Sequence, residues 1–196
     1  MTISLRPEEN PNCLPNVWEK SVYDLNFEEC KAMGILGVIF DHDCSLISAR
    51  DRVLPKRSIQ LIRNLKSMKL KVVIVSNTGP LKPMIDRVAE NAKLVGVNCV
   101  VCKTNDEYKP APWGFAVGAR IMGLPHCKIL VVGDQIKNDI CGGNAAGMNT
   151  ALVQKMGHDS IWLSITGYPQ YKRLRERPAW QYIKSNRHRG LWYPKL

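Results

Sequence analysis

Asp41 and Asp43 are two carboxylates placed two residues apart, directly after an apolar run that ends at Phe40. If the chain stays extended there, both side chains point to the same side, because strand side chains repeat with a period of two. One carboxylate can then attack while the other transfers protons. Aspartate suits attack on phosphorus, since the resulting acyl phosphate is reactive enough to be hydrolysed in a second step. The pattern therefore predicts Asp41 as nucleophile and Asp43 as general acid and base.

Two further acids, Asp134 and Asp139, follow another apolar run. Magnesium prefers oxygen ligands in an octahedral array and keeps several waters, so two carboxylates, a carbonyl and a phosphate oxygen suffice to hold it. The predicted cofactor is Mg²⁺, bound by Asp41, the backbone carbonyl of Asp43 and Asp134. Asp139 is expected to orient a metal-bound water or Lys109 without binding the ion itself.

Ser76 and Lys109 complete the candidate site. A hydroxyl at a strand end can bind phosphoryl oxygens, and an ammonium can neutralise the charge that builds in the transition state. Taken singly, Ser76 is as well explained as a helix cap and Lys109 as a surface lysine. Asn77 and His42 are further candidate contacts of the phosphate or the substrate.

The elements that must position these residues are short apolar runs separated by segments with helical spacing. The predicted strands span residues 35–40, 72–75, 97–102, 128–132 and 150–153, and the predicted helices 56–68, 82–94 and 111–122. Strands that alternate with helices imply an α/β fold with a parallel sheet and right-handed crossovers. Ligands bind beyond the carboxyl ends of such strands, so Asp41, Ser76 and Asp134 are expected to converge.

Four segments resemble, in order and in strand context, the motifs of haloacid-dehalogenase (HAD) phosphatases. They are Phe-Asp-His-Asp-Cys-Ser at 40–45, Val-Ser-Asn-Thr at 75–78, Lys109-Pro110, and Gly-Asp-x-x-x-x-Asp at 133–139. The resemblance covers residues 35 to about 153. It implies a Rossmann-like three-layer sandwich around a central parallel sheet and Mg²⁺-dependent phosphatase chemistry through an aspartyl phosphate. Where that family generally has Asp-Leu-Asp-Asn-Thr, this chain has His42, Cys44 and Ser45.

A narrower resemblance joins the chain to the YqeG-type branch of these phosphatases. It rests on residues 21–25, 133–135, 142–150 and 175–178. That branch includes the mitochondrial-type phosphatidylglycerophosphatases, so the resemblance implies phosphatidylglycerophosphate as substrate and phosphatidylglycerol as product. The glycines at 142, 143 and 147 are predicted to serve turns and close packing rather than phosphate binding.

The spacing of the motifs leaves no room for a substantial cap domain. Asp43 to Ser76 and Ser76 to Lys109 each allow a crossover with one helix and little else. We therefore expect one domain over residues 1–196, with a core at about 35–155 and an open site that suits a phosphate on a large molecule. The extension at about 156–196 mixes basic with aromatic residues, which suits either an anionic membrane surface or single-stranded nucleic acid.

Composition narrows the partners and the location. The net charge of +11 favours anionic partners. No apolar run reaches the roughly 18 residues of a membrane span, and the N-terminus is unlike a signal peptide. The 7 cysteines are scattered, so we expect neither a disulfide framework nor a zinc site. The expected compartment is therefore a reducing one. The expected location is cytoplasmic and peripheral to a membrane, with the mitochondrial matrix or a plastid as alternatives.

Two other functions remain open at this stage. The same open site and charge suit a phosphatase for nucleotides, nucleic-acid ends or phosphoproteins. The unusual His42 and Cys44 also fit a HAD-fold binding or scaffold protein whose catalytic apparatus has decayed. The sequence makes no prediction of the oligomeric state.

Overall fold

The computed structural model describes residues 13–157, which form a parallel sheet flanked by helices. The six strands are β1 (Val17–Glu19), β2 (Gly37–Phe40), β3 (Lys71–Asn77), β4 (Asn98–Cys102), β5 (Ile129–Gly133) and β6 (Asn149–Val153). Their order across the sheet is β1-β6-β5-β2-β3-β4, and every neighbouring pair is parallel. The predicted α/β fold with a central parallel sheet is confirmed.

The strand order places a crevice at the centre of the sheet. From β2 the chain winds outward through β3 and β4, then crosses to the other side of β2 to form β5 and β6. Phe40 pairs with Ile74 on one side and with Val132 on the other. The connection that follows β2 leads toward β3, and the connection that follows β5 leads the opposite way, toward β6. Ligands bind at such a switch point between two strands, here β2 and β5.

Helices cover both faces of the sheet, which gives three layers. The helices are α1 (Phe27–Ala32), α2 (Lys56–Ser67), α3 (Lys82–Val95), α4 (Trp113–Met122) and α5 (Gly142–Ala145), with a π-helical turn at Ile136–Cys141 before α5. Apolar residues of α1, α2 and α3 pack with Val38 and Phe40 on one face. Phe115 and Ala119 of α4 pack with Ile39 on the other. Both faces of the sheet are thus buried, which explains why its strands are almost uniformly apolar.

The structure contains elements that the apolar patterns did not predict. Strand β1 has three residues and lies at the edge of the sheet, where it pairs with β6. Helix α1 is a short helix capped by the side chain of Asn26, which accepts a hydrogen bond from the Glu29 amide. Periodicity over so few residues carries little information, so both elements were missed.

The glycines of α5 pack closely against the rest of the core. A Cβ added to Gly142 would lie 2.7 Å from Phe115 and 3.0 Å from Pro110, and one added to Gly143 would lie 2.8 Å from Thr150. Gly147 has a φ of +73°, which favours glycine. The predicted packing and turn roles of these glycines are confirmed.

The expectation of no disulfide framework missed one disulfide. Cys13 and Cys141 form a disulfide across a sequence separation of 128 residues, linking the segment before β1 to the end of the π-helical turn. A pairing between cysteines so far apart in the sequence cannot be predicted from their spacing along the chain.

The segments that follow β2, β3 and β4 at the carboxyl edge are residues 41–55, 78–81 and 103–112, and they hold no helix and no strand of the sheet. No large cap therefore covers the site within residues 13–157. No helix in the same range is long and apolar enough to cross a membrane. The N-terminal residues 1–12 and the basic aromatic extension from residue 158 onward lie outside the described residues.

Candidate active site

Asp41 lies where β2 ends, at the central crevice of the sheet. Its backbone N–H donates to the carbonyl of Val132, so the ladder between β2 and β5 continues as far as this residue. The side chain is buried. The backbone of the candidate nucleophile is thus held in place at the crevice.

Lys109 joins two of the predicted acids. Its Nζ donates to Oδ1 of Asp41 at 2.5 Å and to Oδ1 of Asp139 at 2.7 Å, and all three side chains are buried. Burial alone would lower the pKa of Lys109, but the charges of Asp139 and Asp41 outweigh it and raise that pKa. The ammonium therefore stays charged beside the candidate nucleophile.

Asn77 positions Lys109 through its backbone. The side-chain amide of Asn77 accepts from the Lys109 N–H at 2.9 Å and donates to the Lys109 carbonyl at 3.1 Å. This pair of bonds holds the loop 103–112 to the end of β3. The expected contact of Asn77 with phosphate stays a prediction, and the structure adds a role in placing Lys109. Ser76 is buried at the end of the same strand.

Asp139 is held close to the end of β5. A Cβ on Gly133 would lie 2.2 Å from Cγ of Asp139, so this approach requires a glycine. The backbone N–H of Gln135 donates to Oδ2 of Asp139 at 3.0 Å, while Oδ1 accepts from Lys109. Both carboxylate oxygens are engaged by protein donors, which agrees with the expectation that Asp139 orients Lys109.

Asp134 is also buried and lies close to Asp41. The hydroxyl of Ser45 donates to its Oδ1 at 3.3 Å, and Nζ of Lys155 lies 3.9 Å from its Oδ2. Lys155 follows β6 and was not among the predicted site residues. Its position near Asp134 depends on the pairing of β6 with β5, which the sequence pattern does not reveal.

The donor chemistry of this cluster fits a divalent cation. Carboxylate oxygens of Asp41, Asp134 and Asp139 lie within 4.8 Å of one another. Burial raises the pKa of Asp41 to about 7, although the charge of Lys109 opposes the shift, and burial also raises the pKa of Asp134 well above its ordinary value. A cation of charge two would offset the cost of burying these charges together. Asp41 and Asp134 are the better placed ligands, since Asp139 already has a donor on each oxygen.

The raised pKa values predict that the metal-free protein loses stability as the pH rises. A carboxylate whose pKa is higher in the folded than in the unfolded state makes the folded state bind more protons, so unfolding becomes easier as the pH climbs from about 4 through 7. We expect the unfolding midpoint with chelator present to fall by roughly 4 °C or more between pH 5 and pH 8. Scanning calorimetry with and without Mg²⁺ measures this change.

Magnesium should restore the midpoint at pH 8 and have little effect at pH 5, where protons compete for the same oxygens. An Asp134→Asn variant supplies the control, because removal of one titrating carboxylate should flatten the dependence on pH. A midpoint that rises toward pH 8 in the metal-free protein would contradict the electrostatic account of the site.

Asp43 takes part in a second set of contacts, on the side of α3. Its Oδ1 accepts a hydrogen bond from Nδ1 of His42 at 2.9 Å and another from Nη2 of Arg87. Burial alone would raise the pKa of Asp43, but the hydrogen bond from His42 and the charge of Arg87 outweigh it and lower that pKa. An ionised carboxylate at this position is suited to accept a proton.

His42 contacts Asp43 and Asn91 in the interior, whereas the sequence predicted a contact with the substrate. The ring is fully buried, and its second nitrogen pairs with Nδ2 of Asn91 at 3.2 Å. Neither Arg87 nor Asn91 was predicted. The available signal was the apolar stripe of α3 at Val88, Ala92 and Val95, in which Asn91 is the polar member.

The comparisons with known proteins agree with this geometry. A family model described as haloacid dehalogenase-like hydrolase matches residues 20–147. The "Probable phosphatase YqeG" of Bacillus subtilis (strain 168) is 29% identical over 175 residues, which cover 89% of this chain and 94% of that relative. An uncharacterized protein from Listeria monocytogenes serotype 4b has a structure with a TM-score of 0.50 at 19% identity, covering 65% of this chain and 85% of that one, a likeness of fold. Since the family model spans well over half of the sequence, including all four motifs, the chain belongs to the haloacid dehalogenase-like hydrolases.

Proposed function

We propose that this HAD-family phosphatase removes the terminal phosphate from phosphatidylglycerophosphate at a membrane surface, through a phosphorylated Asp41. The observation that carries the chemistry is the buried contact of Lys109 with both Asp41 and Asp139, next to Asp134. Buried groups with strongly shifted pKa values cluster at catalytic sites, and this set of charges suits phosphoryl transfer. This cluster disfavours the decayed scaffold.

In the first step, Asp43 takes a proton from the monoanionic phosphate group and passes it to the leaving oxygen, while an oxygen of Asp41 attacks phosphorus and the bond to the leaving oxygen breaks. Lys109 holds the attacking carboxylate and neutralises charge on the phosphoryl group. In the second step, Asp43 takes a proton from water, which attacks phosphorus and releases inorganic phosphate from Asp41. Mg²⁺ held by Asp41, the carbonyl of Asp43 and Asp134 would supply further charge neutralisation.

The open carboxyl edge supports a substrate embedded in a membrane. Three apolar side chains are exposed in separate segments beyond β2, β3 and β4, namely Val53, Leu81 and Trp113. Because parallel strands end at one edge of a sheet, the segments that carry these side chains begin at the same edge as Asp41. An apolar rim of this kind can enter the interfacial zone of a bilayer, where tryptophan is favoured, and the net charge of +11 attracts anionic lipid.

A substrate panel tests the proposal. Phosphatidylglycerophosphate in anionic vesicles, p-nitrophenyl phosphate, phosphorylated oligonucleotides and phosphopeptides are each assayed for release of inorganic phosphate, with Mg²⁺ and with excess chelator. We expect the lipid to give the highest kcat/KM and chelator to abolish turnover of all substrates. Preferred turnover of the oligonucleotides or peptides would transfer the assignment to those substrates.

The rim is tested with two variants of α4 whose side chains are similarly exposed. Trp113 stands at the end near the site and Ile121 near the opposite edge of the sheet, with exposures of 41% and 42%. We expect Trp113→Ser to lower kcat/KM for vesicle-bound lipid by about fivefold to tenfold, as the loss of one partly buried ring predicts. Turnover of p-nitrophenyl phosphate, and both activities of Ile121→Ser, should stay unchanged.

A further inference from the structure

His42 connects α3 to the proposed proton-transferring group. The imidazole is fully buried, with Nδ1 at 2.9 Å from Oδ1 of Asp43 and Nε2 at 3.2 Å from Nδ2 of Asn91. Buried polar groups persist where each has a partner, and here both ring nitrogens do. Residue 42 is also a position at which the chain departs from the leucine that is usual in the HAD motif it resembles.

Asn91 fixes the direction of these hydrogen bonds. Its Oδ1 accepts from the backbone N–H of Leu54 at 2.9 Å, and its Nδ2 donates to the carbonyl of Arg52 at 3.0 Å. An N–H can only donate and a carbonyl can only accept, so the backbone sets the orientation of the amide. The amide therefore presents an N–H to His42, Nε2 accepts it, and the ring hydrogen resides on Nδ1, which donates to Asp43.

Arg87 supplies a second donor to the same oxygen. It lies one helical turn before Asn91 and donates from Nη2 to Oδ1 of Asp43. Its Nη1 donates to the carbonyls of Ala49 and Asp51 at 3.0 and 3.1 Å, which anchors the guanidinium on the loop after β2. The hydrogen bonds of the Asp43 carboxylate within the described residues all fall on Oδ1, so Oδ2 is the oxygen left to meet the substrate.

We propose that His42, held in one tautomer by Asn91, is a positioning residue that turns Oδ2 of Asp43 toward the leaving-group oxygen. The inference rests on the proposed function, in which Asp43 transfers the proton. In the forward step Oδ2 first takes a proton from the monoanionic phosphate group, and that proton passes to the bridging oxygen as its bond to phosphorus breaks and the bond from Asp41 forms. Arg87 keeps Oδ1 occupied and so prevents the carboxylate from rotating.

The test compares leaving groups that differ in their need for a proton. Glycerol 3-phosphate expels an alkoxide, which needs general acid assistance, whereas p-nitrophenyl phosphate expels a stable phenolate. General acid catalysis contributes on the order of 10²-fold. We expect His42→Leu to lower kcat/KM for glycerol 3-phosphate by about tenfold or more, and that for p-nitrophenyl phosphate by less than about twofold. Equal losses for the two substrates would show a merely structural role and overturn the proposal.

Two variants complete this test. His42→Asn places an amide N–H where Nδ1 was, and it should recover most of the activity toward glycerol 3-phosphate. Lys82→Gln removes a cation from α3, the helix that carries Arg87 and Asn91. Lys82 is exposed and paired with Asp86, so this variant should leave both activities unchanged. Failure of His42→Asn to exceed His42→Leu would also count against positioning through a hydrogen bond.

A spectroscopic readout separates this inference from the proposed function. In the protein labelled with ¹⁵N at histidine, the His42 signal, identified by its loss in His42→Leu, should report hydrogen on Nδ1 and none on Nε2. The tautomer can be measured even if the protein hydrolyses no phosphomonoester. Such a lack of hydrolysis would overturn the proposed function and leave the role of Asn91 in place. Hydrogen on Nε2 in the wild-type protein would overturn the role of Asn91.

Discussion

Asp41→Asn is expected to lower phosphate release by at least about 10⁴-fold while the protein stays folded. The amide keeps the size of the side chain and can still accept the hydrogen bond from Lys109, but it cannot form an acyl phosphate. Burial raises the pKa of Asp41 to about 7, so the ionised carboxylate is costly in the metal-free protein. A neutral amide removes that cost, and the variant should unfold no more easily than wild type at pH 8 with chelator.

Rapid quenching followed by intact-mass measurement detects the intermediate directly. Wild type should gain the mass of one phosphoryl group during turnover, and the variant should gain none. Asp51→Asn is the matched control, because Asp51 is an exposed acid on the loop after the same strand. A phosphorylated Asp41→Asn protein, or one that retains a tenth of wild-type activity, would place the nucleophile elsewhere.

The positions of the main site residues could be predicted because parallel strands impose a simple geometry. Asp41, Ser76 and Asp134 each follow an apolar run, and the carboxyl ends of neighbouring parallel strands meet at one edge. The structure brings Asp41 and Asp134 together at that edge. Lys109 follows a strand as well, although its distance from Asp41 depends on the amide of Asn77, which the sequence pattern does not reveal.

The contacts of Asp43 could not be predicted, because they join elements that are far apart in the sequence. His42 was expected near the substrate because it lies between two acids. Adjacency in sequence, however, does not determine which side of the backbone its ring occupies. Its burial follows from α3, where Asn91 supplies a polar partner inside an apolar stripe. The disulfide between Cys13 and Cys141 is a comparable case, because it depends on how the segment before β1 folds back.

Lys109→Met is expected to abolish activity and also to destabilise the protein, which distinguishes it from Asp41→Asn. The ammonium lies between Asp41 and Asp139, and methionine retains the length of the side chain without its charge. Removal of one partner from a buried ion pair leaves the other charges uncompensated, at a cost of about 3 kcal/mol in the free energy of unfolding. Loss of transition-state charge neutralisation should lower kcat/KM by about 10³-fold.

A double variant separates these two effects of Lys109. Asp139→Asn removes one of the charges that Lys109→Met leaves unpaired, so the double variant should regain part of the lost stability while its activity stays abolished. Urea unfolding of the four proteins measures the coupling, and the phosphate assay measures turnover. Additive losses of stability would mean that Lys109 and Asp139 do not interact, in contradiction to the 2.7 Å contact between them. Recovery of activity together with stability would show that Lys109 serves the fold alone.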